Sequence, residues 1–315
     1  MTRMGQRILL TGGTGFIGKA LLGVLAESGS EVHLITRESD GSQIRFRSGG
    51  ARIEQHQIDL MSPASWESSV RAIQATHLVH LAWCTDQGAN LESKQNSDWV
   101  TASMRLIDAF VSGGGRRLVA AGTCAEYDWS GDLDFIREGD RLDPATLYGR
   151  CKVELHTRLQ RAFPSLSHAW CRIFVPYGPN DHQRRVLNYV ISNLLRGEVA
   201  NCSEGRQVLD FIHIRDVATI FARLIESSLE GSVNVGTGLG HSVREVVAIA
   251  AREIDREDLV RFGTRSTGAI NARLVADTRR LREELLFYPQ IPIERGIAET
   301  IRWYRDVLDA GAPKG

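Results

Sequence analysis

The chain has 315 residues, 43% of them hydrophobic, enough apolar material for one large domain or two of ordinary size. Its 38 basic side chains are matched by 38 acidic ones, so no global field favours nucleic acid or a membrane surface, and an anionic ligand must be met by local groups. No stretch approaches the roughly 18 uninterrupted apolar residues of a membrane span.

The amino terminus, "MTRMGQRILLTGG", lacks the apolar run of a signal peptide and enters a strand pattern almost at once. "RILLT" at 7–11 is the first predicted strand. It is followed by "FIGKALLGVLAESG", whose apolar residues recur at three and four as on a helix. Further strands are predicted at 31–36 ("EVHLIT"), 52–58 ("RIEQHQI"), 76–82 ("THLVHLA"), 117–122 ("RLVAAG") and 168–174 ("HAWCRIF"), with helix-like segments between them. That alternation implies right-handed crossovers and an α/β architecture. The expected core is a doubly wound parallel sheet that binds ligands at the carboxyl ends of its strands. After about residue 175 the rhythm loosens. "YGPNDHQRRVLNYVISNLLRGE" runs from a loop into an amphipathic helix, and "QVLDFIHIRDVATIFARLIES" reads as a strand and a helix begun near Asp216. "GSVNVGTG" is a buried strand with a glycine turn, and "IPIERGIAETIRWYRDVL" a helix with proline at its entry. Five cysteines (Cys84, Cys124, Cys151, Cys171, Cys202) have no paired spacing, which argues against a disulfide framework or zinc site and for a reduced, cytoplasmic protein.

Two short stretches carry chemistry. "LLTGGTGFIGKALL" joins the first strand to the first helix, with Gly12, Gly15 and Gly18 three apart and Gly13 beside them. Such a turn lets backbone amides approach a pyrophosphate at the positive end of a helix. The second strand ends "LITRESD", placing Thr36 and Arg37 where NAD-binding folds put a ribose-binding acid. A guanidinium there pairs with a 2′-phosphate, so NADP(H) is favoured; Glu38 and Asp40 lie close enough to keep NAD(H) open. Asp59, after the third strand, is placed to reach adenine or to cap a helix. The second stretch is "TLYGRCK". Tyr148 and Lys152 are four apart and share a helix face, and an ammonium beside a phenol lowers its pKa and readies it for proton transfer.

The segments "TGGTGFIG", "VHLAW", "GTCAEYDW", "YGRCK", "RIFVPYGP", "DFIHIRDVA", "VNVGTG" and "GIAETIRWY" together resemble the extended short-chain dehydrogenase/reductases, in particular the nucleotide-sugar epimerase, dehydratase and reductase group. The resemblance implies a Rossmann domain over 1–175 and a smaller, mainly substrate-binding lobe over 176–315, with about 207–236 returning to the first domain. It makes Tyr148 the catalytic acid/base, Lys152 its partner and holder of the nicotinamide ribose, and Thr123 the hydroxyl that bonds the reacting oxygen. Cofactor contacts would come from Gly12, Gly13, Thr14, Gly15, Phe16, Ile17 and Gly18, from Arg37, Asp59, Leu60, Leu81 and Ala82, and from Tyr148 and Lys152. Trp83, Cys124, Tyr177, Arg206 and Arg265 are the candidates on the substrate side.

Departures from the family pattern sort the reactions. Dehydratases carry an acidic pair just after the catalytic hydroxyl, where this chain has Cys124 and Ala125, although Glu126 follows. Leu209 stands in place of a diphosphate-binding arginine and Val175 in place of an asparagine; Arg184, Arg185, Arg206, Arg215 or Arg265 would have to supply the clamp. His80 is expected near the cofactor and His213 to be structural, neither with metal-ligand spacing, and the chemistry needs no metal. The expectation is an NADP(H)-dependent reductase acting on the 4-keto group of a nucleotide-linked deoxysugar. The alternatives are an NAD-dependent C4-epimerase and a non-catalytic dinucleotide sensor. Family likeness also implies a homodimer built on helices near 95–112 and 146–162.

Overall fold

The computed structural model describes residues 6–37, 52–84, 91–130, 133–265 and 273–311. Its first part runs β1 (Arg7–Thr11), α1 (Phe16–Glu27), β2 (Glu31–Thr36), β3 (Arg52–Gln57), α2 (Glu67–Ile73), β4 (His77–His80), α3 (Gln95–Ser112), β5 (Arg117–Thr123), α4 (Leu147–Ala162) and β6 (Ser167–Ile173). The second continues with β7 (Val175–Tyr177), α5 (Val186–Leu195), β8 (Ala200–Asn201), β9 (Val208–Leu209), β10 (Phe211–His213), α6 (Ile214–Glu226) and β11 (Gly231–Val235). It closes with β12 (His241–Ser242), α7 (Val243–Ile254), β13 (Val260–Arg261), β14 (Arg273–Leu274), α8 (Arg279–Glu283) and α9 (Ile293–Asp309).

Seven strands form one parallel sheet in the order β11-β6-β5-β4-β1-β2-β3. The order reverses between β1 and β4, and the crevice at that switch point is where such sheets bind ligands. The inner strands are apolar on both faces because helices cover both. On one face Leu21, Leu22 and Leu25 of α1 meet Val217, Phe221 and Leu224 of α6; on the other Val70, Leu106, Phe110, Leu155 and Leu159 come from α2, α3 and α4. Each such side chain, fully buried, contributes about 1.5–3 kcal/mol. A third cluster joins α5, α7 and α9 through Val190, Ile191, Val246, Val247, Ile297 and Ile301. No helix among the described residues is long and apolar enough to cross a membrane.

The late segment around 207–236 divides its labour. α6 packs on α1, and β11 pairs with β6 as the seventh strand of the sheet. The single strand expected in "QVLDFIHI" is two. β9 pairs with β12 and β14, and β10 pairs with β7. Between them, Asp210 is fully buried and its carboxylate accepts from Thr237 N, Thr237 Oγ1, Gly238 N and Ala276 N at 2.6–3.2 Å. A carboxylate that collects four donors holds the chain at one point and breaks the ladder there. α6 starts at Ile214, ahead of Asp216, because the His213 ring caps it by accepting from Arg215 N. Asp216 instead accepts from Gln290 N and Ile291 N, both at 3.0 Å, which fixes the approach to α9.

Candidate active site

The switch point is built from the first glycine turn. Gly12 has φ +72, a region that disfavours side chains, and a Cβ there would lie 2.7 Å from Ala82 N and 2.8 Å from Leu81 C. The β1–α1 turn therefore lies directly on the chain leaving β4, which is why β4 ends at His80 and the expected strand residues Leu81 and Ala82 serve as a floor. Gly15 precedes α1 without any side-chain cap, and a Cβ at Gly18 would strike Gly12 O. An exposed Thr14 and Gly15, open amides at the start of a 12-residue helix and a turn stripped of side chains suit the pyrophosphate of a dinucleotide. Phe16 and Ile17, partly buried, start the helix and pack onto the core.

β5 delivers Thr123, and α4 delivers Tyr148 and Lys152. Thr146 caps α4 by accepting from Gly149 N at 3.1 Å. Gly149 lies so close to the turn after β5 that a Cβ would collide with Ala125 O and come within 2.7 Å of Pro144 Cβ. The glycine after Tyr148 thus lets the helix start touch the strand end, and the Thr123 hydroxyl sits near enough to the Tyr148 phenol to pull its pKa down. Thr123 Oγ1 also accepts from Ala125 N at 3.2 Å, so it caps the turn and faces the tyrosine together.

The electrostatics differ from expectation. Lys152 is not among the leading influences on the Tyr148 pKa. Desolvation pushes the phenol well above its ordinary value, opposed by the Thr123 hydroxyl, with Glu126 adding a further rise. The cause is the placement of the ammonium. Lys152 Nζ donates to Ala121 O at 2.9 Å, sits 3.7 Å from the centre of the Trp83 ring and is 5.9 Å from that of Tyr148. Burial pushes Lys152 from the usual 10.5 down to about 7. Below about pH 7 its ammonium is charged in the folded and unfolded chain alike, so folding carries the full cost of burying it. Between about 7 and 10.5 the unfolded chain holds the extra proton, and stability rises with pH as that cost is relieved. Replacing Lys152 with methionine is therefore expected to raise the melting temperature at pH 6, with a gain that narrows by pH 9. A gain that does not change with pH would show that the ammonium is not the source.

Beneath Thr123 lies a buried polar network. Glu126, fully buried, accepts from Thr123 N at 2.8 Å, from Trp170 Nε1 at 3.0 Å and from Arg172 Nε at 2.8 Å. Arg172 also donates to Tyr127 Oη and Glu138 O, and Tyr127 Oη donates to Asn234 Oδ1 at 2.6 Å. Glu126 is thus committed to holding the turn and to neutralising Arg172. It is not a free acid for dehydration. An arginine within the apolar run "HAWCRIF" was the sequence signal for this network, since a buried guanidinium demands a buried acid.

The remaining candidates disperse. Arg37 is exposed at the carboxyl end of β2, and its guanidinium has no ion-pair partner among the described residues; Glu38 and Asp40 lie outside those residues. Asp59 caps a turn, not a helix, accepting from Met61 N at 3.0 Å, and Leu60 is buried beside it. His80 is buried between Thr11 Oγ1 and Ser103 Oγ, both 2.8 Å away, and is held neutral, its pKa pushed down to about 3 by burial and by Lys152. Trp83 belongs to the site's wall: it donates to Asn96 Oδ1 and meets Tyr148 edge-on. Cys124 is buried beside Thr123, and burial raises its thiol to about 12. Trp129 is pinned to the same turn through Cys124 O. Tyr177 lies in the core, away from the Thr123–Tyr148 pair. It is 2% exposed and packed against Phe211, His213 and Gly296, because its strand runs into the third apolar cluster. Arg206 is an exposed loop residue, and Arg265 lies over the Tyr189 ring at 5.1 Å. Arg185, which pairs with Asp181 at 3.2 Å, is an arginine whose charge is felt at Tyr148.

Comparison with known proteins shows what the whole chain is similar to. The family model described as NAD dependent epimerase/dehydratase family matches residues 8–236. The UDP-glucose 4-epimerase of Corynebacterium glutamicum is 27% identical, over 93% of this chain and 94% of that protein. The dTDP-4-dehydro-6-deoxy-D-allose reductase of Streptomyces bikiniensis is 24% identical, over 96% and 97%. Among solved structures, the UDP-glucose 4-epimerase of Thermus thermophilus in complex with NAD superposes with a TM-score of 0.83, at 25% identity, covering 95% of this chain and 99% of that one.

Proposed function

The chain belongs to the NAD-dependent epimerase/dehydratase family, and we propose that within it the protein is an NADP(H)-dependent reductase of a 4-keto group on a nucleotide-linked deoxysugar. A bound reduced nicotinamide supplies the hydride. Thr123 and Tyr148 present two hydroxyls to one point, where they stabilise charge growing on the carbonyl oxygen. Tyr148, held protonated by desolvation, gives that oxygen its proton. Lys152 keeps Trp83 and the tyrosine in place and offers its ammonium to the ribose. Glu126 is bound to Arg172 and Trp170, which supports reduction over dehydration.

The observation that carries the cofactor choice is Arg37, exposed at the carboxyl end of β2 with Thr36 where a ribose-binding acid would stand. The test is a titration of the protein with NADPH and NADH. NADPH is expected to bind more tightly, and Arg37→Ala to lose about tenfold for NADPH with NADH unchanged, about 1.4 kcal/mol for one charge-assisted phosphate contact. Tight retention of NAD(H), with Arg37→Ala indifferent, would overturn this choice. That outcome would favour an NAD-dependent C4-epimerase, the reading supported by the Corynebacterium relative and by NAD in the Thermus structure. A sensor without chemistry has no need for the Thr123–Tyr148 contact.

The same proposal assigns cofactor binding to 1–175 with 207–236 and substrate binding mainly to the rest, with Arg185 on the substrate side. It places the protein in a reducing cytoplasm, where the five free thiols persist, and as a dimer through α3 and α4.

A further inference from the structure

Away from the switch point, at the far edge of the sheet, β2 and β3 carry a second cluster of chemistry-bearing residues. The two strands are parallel, with His33 opposite Glu54 and Ile35 opposite His56. Alternate residues of a strand share a face, so Glu31, His33, Glu54 and His56 stand together. His33 Nδ1 lies 2.8 Å from His56 Nε2, and Glu54 Oε1 is 3.8 Å from the same His56 nitrogen. One ligand atom from each of His33, Glu54 and His56 falls within 4.8 Å of the others.

We propose that His33, His56 and Glu54 form a binding site for a zinc-class divalent cation that clips the edge strand β3 to β2. The donor set, two imidazoles and one carboxylate, suits a borderline metal, with water completing the tetrahedron. Glu31 supplies the supporting contact that metal-bound histidines require. Its Oε1 accepts a hydrogen bond from His33 Nε2–H at 3.1 Å, the tautomer that leaves the Nδ1 lone pair aimed at the cluster. Glu31 is itself held by Arg7 at 3.2 Å and so stays in that supporting position. Metal–nitrogen bonds of about 2.0–2.1 Å in a tetrahedron set the two nitrogens roughly 3.3 Å apart. The rings therefore separate by about half an ångström, and the proton between them moves to His56 Nδ1. The nearest opposing charge on β3 is Arg52, exposed and 3.9 Å from Glu54 Oε2, which is free to swing into solvent. Nothing in the amino-acid spacing announced this cluster. His33 and His56 are far apart in sequence and meet through strand pairing alone.

The experiment uses untagged, chelator-stripped protein titrated calorimetrically with zinc sulfate, with cobalt(II) absorption as a second probe. One equivalent is expected to bind in the micromolar range, raise the melting temperature and give the spectrum of a nitrogen-ligated cobalt site. His56→Ala is expected to weaken binding at least tenfold while NAD(P)H binding stays unchanged, and Glu31→Gln to weaken it by about 10–100-fold. His56→Gln, which keeps a hydrogen-bonding group against His33, guards against a merely misfolded variant and is expected to lose the metal while retaining the fold. Absence of saturable binding, or binding that survives His56→Gln and His56→Ala, would overturn the proposal.

Discussion

Replacing Tyr148 by phenylalanine is expected to lower turnover by about 10²–10⁴ while leaving cofactor affinity within a factor of about two. The phenol hydroxyl is the group removed, and the Thr123 hydroxyl is the neighbour that draws its pKa down. The ring, which meets Trp83 edge-on at 6.3 Å, is kept, so the wall of the site survives the change. The measurement is steady-state turnover beside a fluorescence titration with reduced cofactor. Equal turnover in the two proteins would remove Tyr148 from the proton path, whereas a parallel loss of cofactor binding would make it a structural residue.

The second large effect is expected beneath the site. Glu126→Gln removes the charge that neutralises Arg172, both side chains being almost wholly inaccessible. Breaking such a pair costs about 3–5 kcal/mol, because the remaining charge stays buried without a partner. Denaturant unfolding should report that loss as a lower midpoint with the slope unchanged. The change also weakens the contact to Thr123 N, so turnover should fall with the substrate KM little altered. The double variant Glu126→Leu with Arg172→Met separates the two roles. Apolar replacement of a buried pair is often neutral for stability, so folding should recover, yet the anchor of Thr123 is gone and turnover should not. If turnover returned with stability, Glu126 would be a fold residue only.

What could be read in advance followed from periodicity and punctuation. "RILLT", "EVHLIT" and the glycine turn are local signals, and β1, β2 and α1 occupy the residues those signals mark. The pairing of Tyr148 with Lys152 was legible as a helical spacing. The direction of the lysine's ammonium was not, because it is decided by Trp83 and Ala121, which arrive from other strands. The burial of Tyr177 was likewise beyond local signals, since it depends on α9 folding over it, where Gly296 makes room for its hydroxyl. The two short strands within "QVLDFIHI" depend on Asp210 and on donors near 237 and 276. No window on the sequence spans such contacts.

The pairing of β11 with β6 has a consequence for how the chain can be made. The sheet acquires its final strand only when residues 231–235 emerge, long after β6 itself. Until then β6, with Trp170, Cys171 and Ile173 among its residues, has an open ladder of unmatched amides and carbonyls, the kind of rim on which growing polypeptides stick to one another. Synthesis from the amino terminus therefore passes through a vulnerable interval that ends when "GSVNV" docks. A fragment cut near residue 175 would keep the whole glycine turn and remain in that interval permanently.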